Sequence, residues 1–415
     1  MKKFIIISAV LLLLAGGAFG YSLYRYMDVT NVLNSKNTAP TEAATQAPAK
    51  TDSSEAPKAP TQNDTAAVAS SDVFAAASEK AAAYTANLSA EEMAGQLLLG
   101  ICADASTAAS EINRCHLAGM LFESGNFQGF SKENITAALL TASTDAKVKP
   151  ILAAQEEGGS YTTLSDLDSF SEYDFNALRT EFESGGLQAV QKAEDAKTTM
   201  LKSVGINLNL APVVDLAQSA DQIMYSRSAD GNVETASSIA EYAAKFNQAK
   251  GVSACLKHFP GYGTVPDSAV TGVGAVTDDR PAETIRQNDY TPFKKGAEAG
   301  AHFIMMSNVV VKNIDAAHTA ALSPTLHNEL RSSVGFKGII MTDVLDDADY
   351  SAYAEGRKPV VQAVLAGNDL ILVRDYTTAY NDIVAAVKDG TITEAQLKEA
   401  CTRVIAYKYT AGILK

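Results

Sequence analysis

Eight short runs rich in valine, isoleucine and leucine recur between residues 96 and 376, and longer amphipathic stretches separate them. The runs cover 96–104, 118–126, 149–159, 206–216, 251–261, 301–311, 336–346 and 368–376. Apolar strands that alternate with helical spacers are typical of parallel βαβ units whose sheet is covered on both faces. Eight such units over roughly 320 residues favour a closed (β/α)8 barrel of the TIM type. An open doubly wound sheet would need a GxGxxG fingerprint after its first strand, and none is present there.

The first 30 residues predict a membrane anchor or a signal peptide. Two lysines precede a run, 4–24, that contains no charged residue. Because about 20 apolar residues span a hydrocarbon core of about 30 Å, this run is long enough to cross a bilayer with the lysines in the cytoplasm. Ala-Phe-Gly at 18–20 resembles a signal-peptidase site, and cleavage after it is the alternative. Both interpretations place the rest of the chain outside the cytoplasm, membrane-anchored or secreted, and the length of the run favours the anchor.

Residues 31–75 predict a disordered linker. This segment is rich in alanine, threonine, serine and proline and nearly free of large apolar side chains, so it cannot bury enough surface to offset its ordering entropy. Residues 76–415 then form the predicted barrel domain. Ser89 and Glu92 stand at the spacing of a capping box and predict the start of a helix.

Composition excludes several classes of partner and cofactor. The net charge of −14 argues against a nucleic-acid partner and against a polybasic membrane patch. The four cysteines have no CxxC spacing and no histidine-rich neighbourhood, so we expect no zinc or redox site. Buried free thiols are the favoured interpretation, with one disulfide as the alternative. No metal and no organic cofactor is implied.

Polar side chains gather at the C-terminal ends of the predicted strands. They are Glu156, Glu157, Asp215, Lys257, His258, Ser307, Asn308, Thr342, Asp343, Arg374 and Asp375. A barrel carries its active site at that face, and charged groups in a concave mouth are costly unless they pair or bind a ligand. Capping of helix N-termini would explain one or two of these positions, so the set predicts a functional site.

Residues 88–415 resemble the family 3 glycoside hydrolases, specifically the single-barrel β-N-acetylhexosaminidase branch. The matching segments occur in order along the chain: LSAEEMAGQLLLG at 88–100, QEEGG at 155–159, NLAPVVDL at 209–216, SRSADG at 226–231, KHFPGYG at 257–263 and GFKGIIMTDVLDD at 335–347. Each is a weak signal alone. Together, on the predicted strands and in the right order, they identify the chain as similar to this family.

The resemblance implies a retaining mechanism with Asp343 as the catalytic nucleophile. A helix cap after a strand is the alternative role for this residue. By the same resemblance the substrate-binding candidates are Lys257, His258, Arg227, Gln155 and Glu157. The implied partner is a carbohydrate that contains N-acetylhexosamine.

The chain departs from the resembled family at the position of the acid/base. That branch uses a histidine in an Asp-Ser-His run on the loop after the fifth strand, and here the run is Asp267-Ser268-Ala269. Asp267 is the catalytic candidate left on this loop, and Glu156, Asp278 and Asp279 are other possible sources of a carboxylic acid. Further departures are Gln155 for a sugar-binding aspartate, Ser160 for an arginine, Tyr262 for a histidine, and Asn308 near the position of a histidine in many members.

Three functions remain open at this point. The first is an exported glycosidase of the β-N-acetylhexosaminidase type that acts on cell-wall amino-sugar glycans with an atypical or impaired acid/base. The second is a catalytically inactive relative that binds a glycan or a protein partner through the same mouth. The third is a transglycosylase or phosphorylase variant.

Overall fold

Each of the eight apolar runs contains a barrel strand in the computed structural model, which describes residues 72–144, 146–266, 275–345 and 350–415. The barrel strands are β1 (Leu98–Ile101), β2 (Gly119–Phe122), β3 (Ile151–Ala154), β4 (Leu208–Asn209), β5 (Ser253–Phe259), β7 (Phe303–Met306), β9 (Ile339–Thr342) and β10 (Ile371–Val373). All are parallel, in the order β10-β1-β2-β3-β4-β5-β7-β9. The sheet closes between its two ends, where the Thr342 N–H donates to the Leu370 carbonyl at 3.1 Å. The predicted (β/α)8 barrel is confirmed.

Helices follow the strands and form the outer layer. They are Ala108–Arg114, Lys132–Thr144, Leu178–Val204, Val233–Tyr242, Tyr290–Glu298, Pro324–Ser332, Pro359–Ala366, Tyr376–Lys388 and Glu394–Thr410. Two further helices, Ser78–Thr85 and Ala90–Gly95, precede β1. The predicted capping box is present, because Ser89 Oγ accepts the Glu92 N–H and the Glu92 side chain accepts the Ser89 N–H.

Side chains of the barrel strands alternate between the barrel interior and the helical layer. The sulfur atoms of Cys255 on β5 and Met341 on β9 lie 3.6 Å apart although β7 separates their strands, so both residues face the interior. Their neighbours Leu256 and Ile340 pack in the layer under the helices. Lys257 continues the face of Cys255 and therefore points up the barrel interior towards its C-terminal mouth.

A second, two-stranded parallel sheet lies beside the mouth. It joins β6 (Val276–Asp278) to β8 (Val309–Val311), in register from Val276–Val309 to Asp278–Val311. The run 301–311, read from the sequence as one strand, is therefore divided into β7 and β8 by Ser307 and Asn308.

The N-terminal predictions lie largely outside the described residues. Segment 1–30 is not described, and of the predicted linker 31–75 only 72–75 is. Within that short part Phe74 is buried against the ring of Tyr407, with ring centroids 6.1 Å apart, so packing against the barrel begins slightly before residue 76. Among the described helices, none is long and apolar enough to cross a membrane. All four cysteines are buried free thiols, as favoured from their spacing.

Candidate active site

Asp343 lies directly after β9, where the carboxyl ends of the strands form the barrel mouth. Its backbone N–H donates to the Met306 carbonyl at 3.0 Å, which fixes the residue to the end of β7. Carboxylate oxygen Oδ1 accepts the N–H of Val344 at 2.7 Å. The other oxygen, Oδ2, lies 3.5 Å from the Tyr262 hydroxyl. Within the described part of the chain Asp343 forms no ion pair, so one carboxylate oxygen stays weakly engaged and can reach a bound molecule.

Glu157, Lys257 and Arg227 form a buried group of three charges, called the ion cluster below. Glu157 Oε1 lies 2.6 Å from Lys257 Nζ and 2.7 Å from an Arg227 terminal nitrogen, and Oε2 accepts Arg227 Nε–H at 2.9 Å. Burial alone would raise the pKa of Glu157, but the charges of Lys257 and Arg227 outweigh it and lower this pKa to about 2. The same carboxylate raises the pKa of Arg227 against the effect of burial. The cluster thus carries one net positive charge at the mouth.

Four protein N–H donors surround the Glu157 carboxylate: Lys257, Arg227 and Gln155 Nε2 (3.2 Å) approach Oε1, and Arg227 Nε–H approaches Oε2. Glu157 therefore holds Lys257 and Arg227 in place. Its predicted contact with substrate stays a prediction, as do those of Lys257, Arg227 and Gln155. Among the described residues Lys257 contacts only Glu157 through its ammonium group, and the two remaining ammonium hydrogens are suited to sugar hydroxyls.

Asp215 fixes His258 and the loop that follows it. The His258 backbone N–H and ring Nδ1 both approach Asp215 Oδ2, at 3.2 and 2.8 Å, and the Tyr262 N–H donates to Oδ1 at 2.8 Å. The pairing of β5 with β7 shifts in register between Lys257 and Phe259. The side chains of Lys257 and His258 therefore depart from simple strand alternation. His258 is thereby held rigidly by a buried carboxylate, and its predicted sugar contact stays a prediction.

Tyr262, which stands where the resembled family has a histidine, lies between His258 and Asp343. Its ring meets the His258 imidazole edge to face, with centroids 5.2 Å apart. Burial, together with the negative charges of Asp343 and Asp215, raises the pKa of Tyr262 well above its ordinary value. The hydroxyl therefore keeps its hydrogen and is available to donate.

The QEEGG segment places its side chains by a sharp turn after β3. Gly158 has a φ of 100°, and a Cβ there would lie 2.2 Å from the Asn176 carbonyl oxygen, so glycine is required. The turn brings the Tyr161 carbonyl to the Glu157 N–H at 2.8 Å. As a result the Arg227 guanidinium lies over the Tyr161 ring, 4.2 Å from its centroid.

Two supporting groups were not found from the sequence. Lys197 and Glu194, a buried pair 2.8 Å apart on the helix Leu178–Val204, stand behind the ion cluster, and Lys197 Nζ donates to the Glu157 carbonyl at 2.6 Å. Their three-residue spacing on a helix was a detectable signal. Arg280 bridges Asp278 and Asp289 and lies 2.8 Å from each carboxylate. These three residues do not share a helical spacing in the sequence that would have predicted the bridge.

Two of the alternative acids named from the sequence are already occupied. Glu156 accepts the N–H groups of Thr163 and Leu164 at 3.0 and 2.8 Å, and Asp278 is paired with Arg280. Asp279 is exposed. Asp267 and Ala269 lie outside the described residues, in 267–274. In the part of the chain that is described, no group of three or more acidic, histidine or cysteine side chains could hold a metal ion.

A cavity of about 740 Å³ opens on the other side of the mouth, at the ends of β1, β2, β3 and β10. Gln155, Ser160 and Tyr161 belong to its lining, and so do Glu123 and Arg374. Through Gln155 and Tyr161 it adjoins the ion cluster.

Comparisons with known proteins agree with this geometry. Residues 89–407 match the model of the "Glycosyl hydrolase family 3 N terminal domain". A "Beta-hexosaminidase" of Xanthomonas campestris pv. campestris (strain B100) is 30% identical over 255 residues, which cover 59% of this chain and 74% of the relative. An "Uncharacterized secreted glycosyl hydrolase" of Arthroderma benhamiae is 30% identical over 62% of this chain and 73% of its own length. The crystal structure of a β-N-acetylhexosaminidase from Beutenbergia cavernae superposes with a TM-score of 0.66 at 27% identity, covering 78% of this chain and 99% of that one.

Proposed function

Because the chain belongs to glycosyl hydrolase family 3, and its relatives include β-hexosaminidases, we propose that its barrel mouth takes a β-linked N-acetylhexosamine unit and that Asp343 is the nucleophile of a retaining hydrolysis. The observation that supports this most directly is the carboxylate of Asp343, held at a strand end by the Val344 N–H. Its Oδ2 lies 3.5 Å from the Tyr262 hydroxyl and has no cationic partner among the described residues.

The reaction proceeds in two displacements. An oxygen of Asp343 attacks the anomeric carbon, the bond to the leaving oxygen breaks, and that oxygen takes a proton. Water then attacks the same carbon and loses a proton, and the bond between that carbon and Asp343 breaks. The released sugar keeps the original β configuration. Lys257, Arg227 and His258 orient the sugar hydroxyls, and Asp215 and Glu157 keep these donors in position.

Both proton transfers need an acid/base, and here the chain is atypical. Ala269 stands where the resembled branch has its histidine, and a methyl group transfers no proton. Since general acid–base catalysis contributes about 10²- to 10⁴-fold, its loss leaves slow turnover of substrates with a good leaving group. Asp267, two residues earlier, is the proposed carboxylic acid on that loop.

A non-catalytic role is the second candidate, and Ala269 is the observation that favours it. In this case the same groups at the mouth bind a glycan, or a protein partner, without cleaving it. The groups required for binding, Lys257, Arg227 and His258, do not depend on the proton shuttle.

We further place the barrel outside the cytoplasm, acting on amino-sugar glycans of the cell wall. The apolar run 4–24 and a relative described as secreted support export, and the segment 31–75 gives the barrel reach from an anchored N-terminus. N-terminal sequencing of the exported protein tests the alternative of cleavage after residue 20.

A trapping experiment separates the two candidates. An N-acetylglucosaminyl fluoride that also carries fluorine at C5 needs no acid to release fluoride. It therefore labels the nucleophile of the natural chain, which has Ala269 in place of a histidine. We expect mass spectrometry to find the added sugar on the peptide that contains Asp343, and none in an Asp343→Asn variant. A folded chain that binds N-acetylglucosamine but acquires no label is a binding protein, and a chain that does neither contradicts both candidates.

A further inference from the structure

The phenol of Tyr262 lies against the proposed nucleophile. Its hydroxyl is 3.5 Å from Oδ2 of Asp343. The other carboxylate oxygen, Oδ1, accepts the Val344 N–H at 2.7 Å, so Oδ2 is the oxygen with more freedom to bond to the anomeric carbon. The hydroxyl therefore approaches the atom that forms and later breaks the bond to the sugar.

We propose that Tyr262 acts in the second displacement, where its hydroxyl donates a hydrogen bond to Oδ2 of Asp343 as the bond between Oδ2 and the sugar breaks. The inference rests on the proposed function, because it concerns the release of the sugar from that same nucleophile. In this step water bonds to the anomeric carbon and gives its proton to the acid/base. The electron pair of the broken bond stays on Oδ2, which becomes negatively charged, and Tyr262 keeps its own proton.

The hydrogen bond matters most where negative charge develops on Oδ2. The ester oxygen of the glycosyl-enzyme is a weak acceptor, and the carboxylate that leaves is a strong one, because hydrogen bonds to ionised acceptors are stronger than those to neutral acceptors. A fixed donor at this oxygen therefore stabilises the transition state of release more than the intermediate. In the first displacement the same oxygen loses charge, so the donor does not accelerate that step.

The groups around the hydroxyl direct its hydrogen towards Asp343. The Asn308 backbone N–H approaches the phenol oxygen, which leaves the hydrogen of the hydroxyl free to turn to another acceptor. The nearby Asp215 carboxylate is engaged elsewhere, since its oxygens accept the Tyr262 N–H and bond His258. Among the described residues, Asp343 is thus the acceptor that the structure gives this hydroxyl.

The ring that carries the hydroxyl is fixed by its neighbours. Tyr262 is only 8% exposed, and its ring packs edge to face on His258. Its carbonyl accepts the Val265 N–H at 3.0 Å, and the next residue, Gly263, has a φ of 53°, a conformation that favours glycine. The distance of 3.5 Å to Asp343 is long for a hydrogen bond, and catalytic hydrogen bonds that are long in the free protein often shorten in the transition state.

Two departures from the resembled family act on this one step. Ala269 stands where that family has the histidine that takes a proton from water. Tyr262 replaces another histidine with a side chain that carries its donor further from the backbone. Because the attack of water is less well assisted, a more stable leaving carboxylate offsets part of the loss.

Release of a trapped sugar measures this role. The full-length chain in mild detergent is labelled with the N-acetylglucosaminyl fluoride that carries fluorine at C5, separated from excess reagent, and followed by mass spectrometry of the intact protein. Sodium azide is then added. Azide attacks the anomeric carbon without giving up a proton, so it bypasses the missing base, and the rate of label loss reports how readily Asp343 leaves.

Tyr262→Phe keeps the ring and removes the hydroxyl. We expect this variant to acquire the label no more slowly than the wild type and to lose it about ten-fold more slowly or less, the effect of removing one hydrogen bond to a charged group. Tyr407→Phe is the matched control that keeps both rates. It removes another buried phenol hydroxyl, which bonds Ser253 at the start of β5, at the opposite end of the barrel from Asp343.

A second variant keeps the shape of the side chain if circular dichroism shows that Tyr262→Phe is unfolded. Replacement of Tyr262 by 3-fluorotyrosine retains the ring and the hydroxyl and gives a more acidic phenol, which is a stronger donor. We expect this protein to lose the label faster than the wild type.

The outcomes separate this inference from the function it rests on. Label loss at the wild-type rate in the folded variant overturns the inference and leaves the proposed function in place. Equal slowing of labelling and release also overturns it, because a residue that only supports the fold of the site would slow both. If the wild type acquires no label at Asp343, the proposed function fails, and the inference fails with it.

Discussion

Replacing Glu157 with glutamine tests the energetic role of the ion cluster. Glutamine keeps the shape of the side chain and removes the charge, so Lys257 and Arg227 are left as two buried cations without their common anion. The pKa of Glu157 falls from 4.5 to about 2, and at 1.36 kcal/mol per pKa unit this corresponds to about 3 kcal/mol. Breaking a buried ion pair typically costs 3–5 kcal/mol, which agrees. Glu157 is only 6% exposed, so solvent screening does not reduce this figure much.

The assay is denaturant unfolding of the wild type and Glu157→Gln at several pH values. Because the folded-state pKa is lowered, the stabilisation is complete above pH 4.5 and is lost as the pH falls towards 2. We therefore expect a deficit of about 3 kcal/mol at pH 7 that shrinks below pH 4. Glu241→Gln removes an exposed partner of Lys245 and serves as the control, with an expected cost of about 0.5 kcal/mol or less. A deficit at pH 7 no larger than that of the control would refute the reasoning.

Three further variants probe the surroundings. Asp215→Asn removes the negative charge that accepts hydrogen bonds from His258 and from the Tyr262 N–H. It should lower the free energy of unfolding in denaturant by about 1.5–3 kcal/mol, and a much smaller loss would contradict the proposed rigidity of His258. Arg280→Met leaves the carboxylates of Asp278 and Asp289 unpaired and should cost about 3–5 kcal/mol by the same assay; near-wild-type stability would show that the bridge is dispensable. Burial lowers the pKa of Lys408 to about 7. Between pH 7 and 10 the unfolded chain therefore binds more protons at this lysine than the folded chain does. The free energy of unfolding then rises with pH, by up to about 1.4 kcal/mol per pH unit from this group. Lys408→Met should abolish that gain, and an unchanged pH profile would argue against a buried lysine of low pKa.

The barrel could be predicted from the sequence because its signal is local and repeated. Each strand is an apolar run and each spacer is amphipathic, and eight repeats favour closure. The strand ends were less predictable. The run 206–216 yields only Leu208–Asn209 as a strand, since Pro212 has no N–H to donate to a ladder. Likewise β6 is too short, at three residues, to produce a recognisable alternation.

The site could be predicted in part. Asp343, Lys257 and His258 follow or end strands, and a barrel brings such positions together whatever the details of its loops. What the sequence could not supply was the pairing: that Glu157 is paired with two cations, that Asp215 is bonded to His258, and that Tyr161 lies beneath Arg227. These contacts join residues about 40–100 positions apart, and propensity and periodicity carry no information at that range.

Turnover of an aryl β-N-acetylglucosaminide by the full-length chain tests the central claim most directly, because the aryl group leaves with little help from an acid. Three proteins are compared: the wild type, Asp343→Asn and Ala269→His. We predict slow turnover by the wild type, none by Asp343→Asn, and faster turnover by Ala269→His, because the imidazole can act as the base that activates water in the second displacement. If all three are folded and inactive, the account of Asp343 as a nucleophile served by an atypical or impaired acid/base is contradicted.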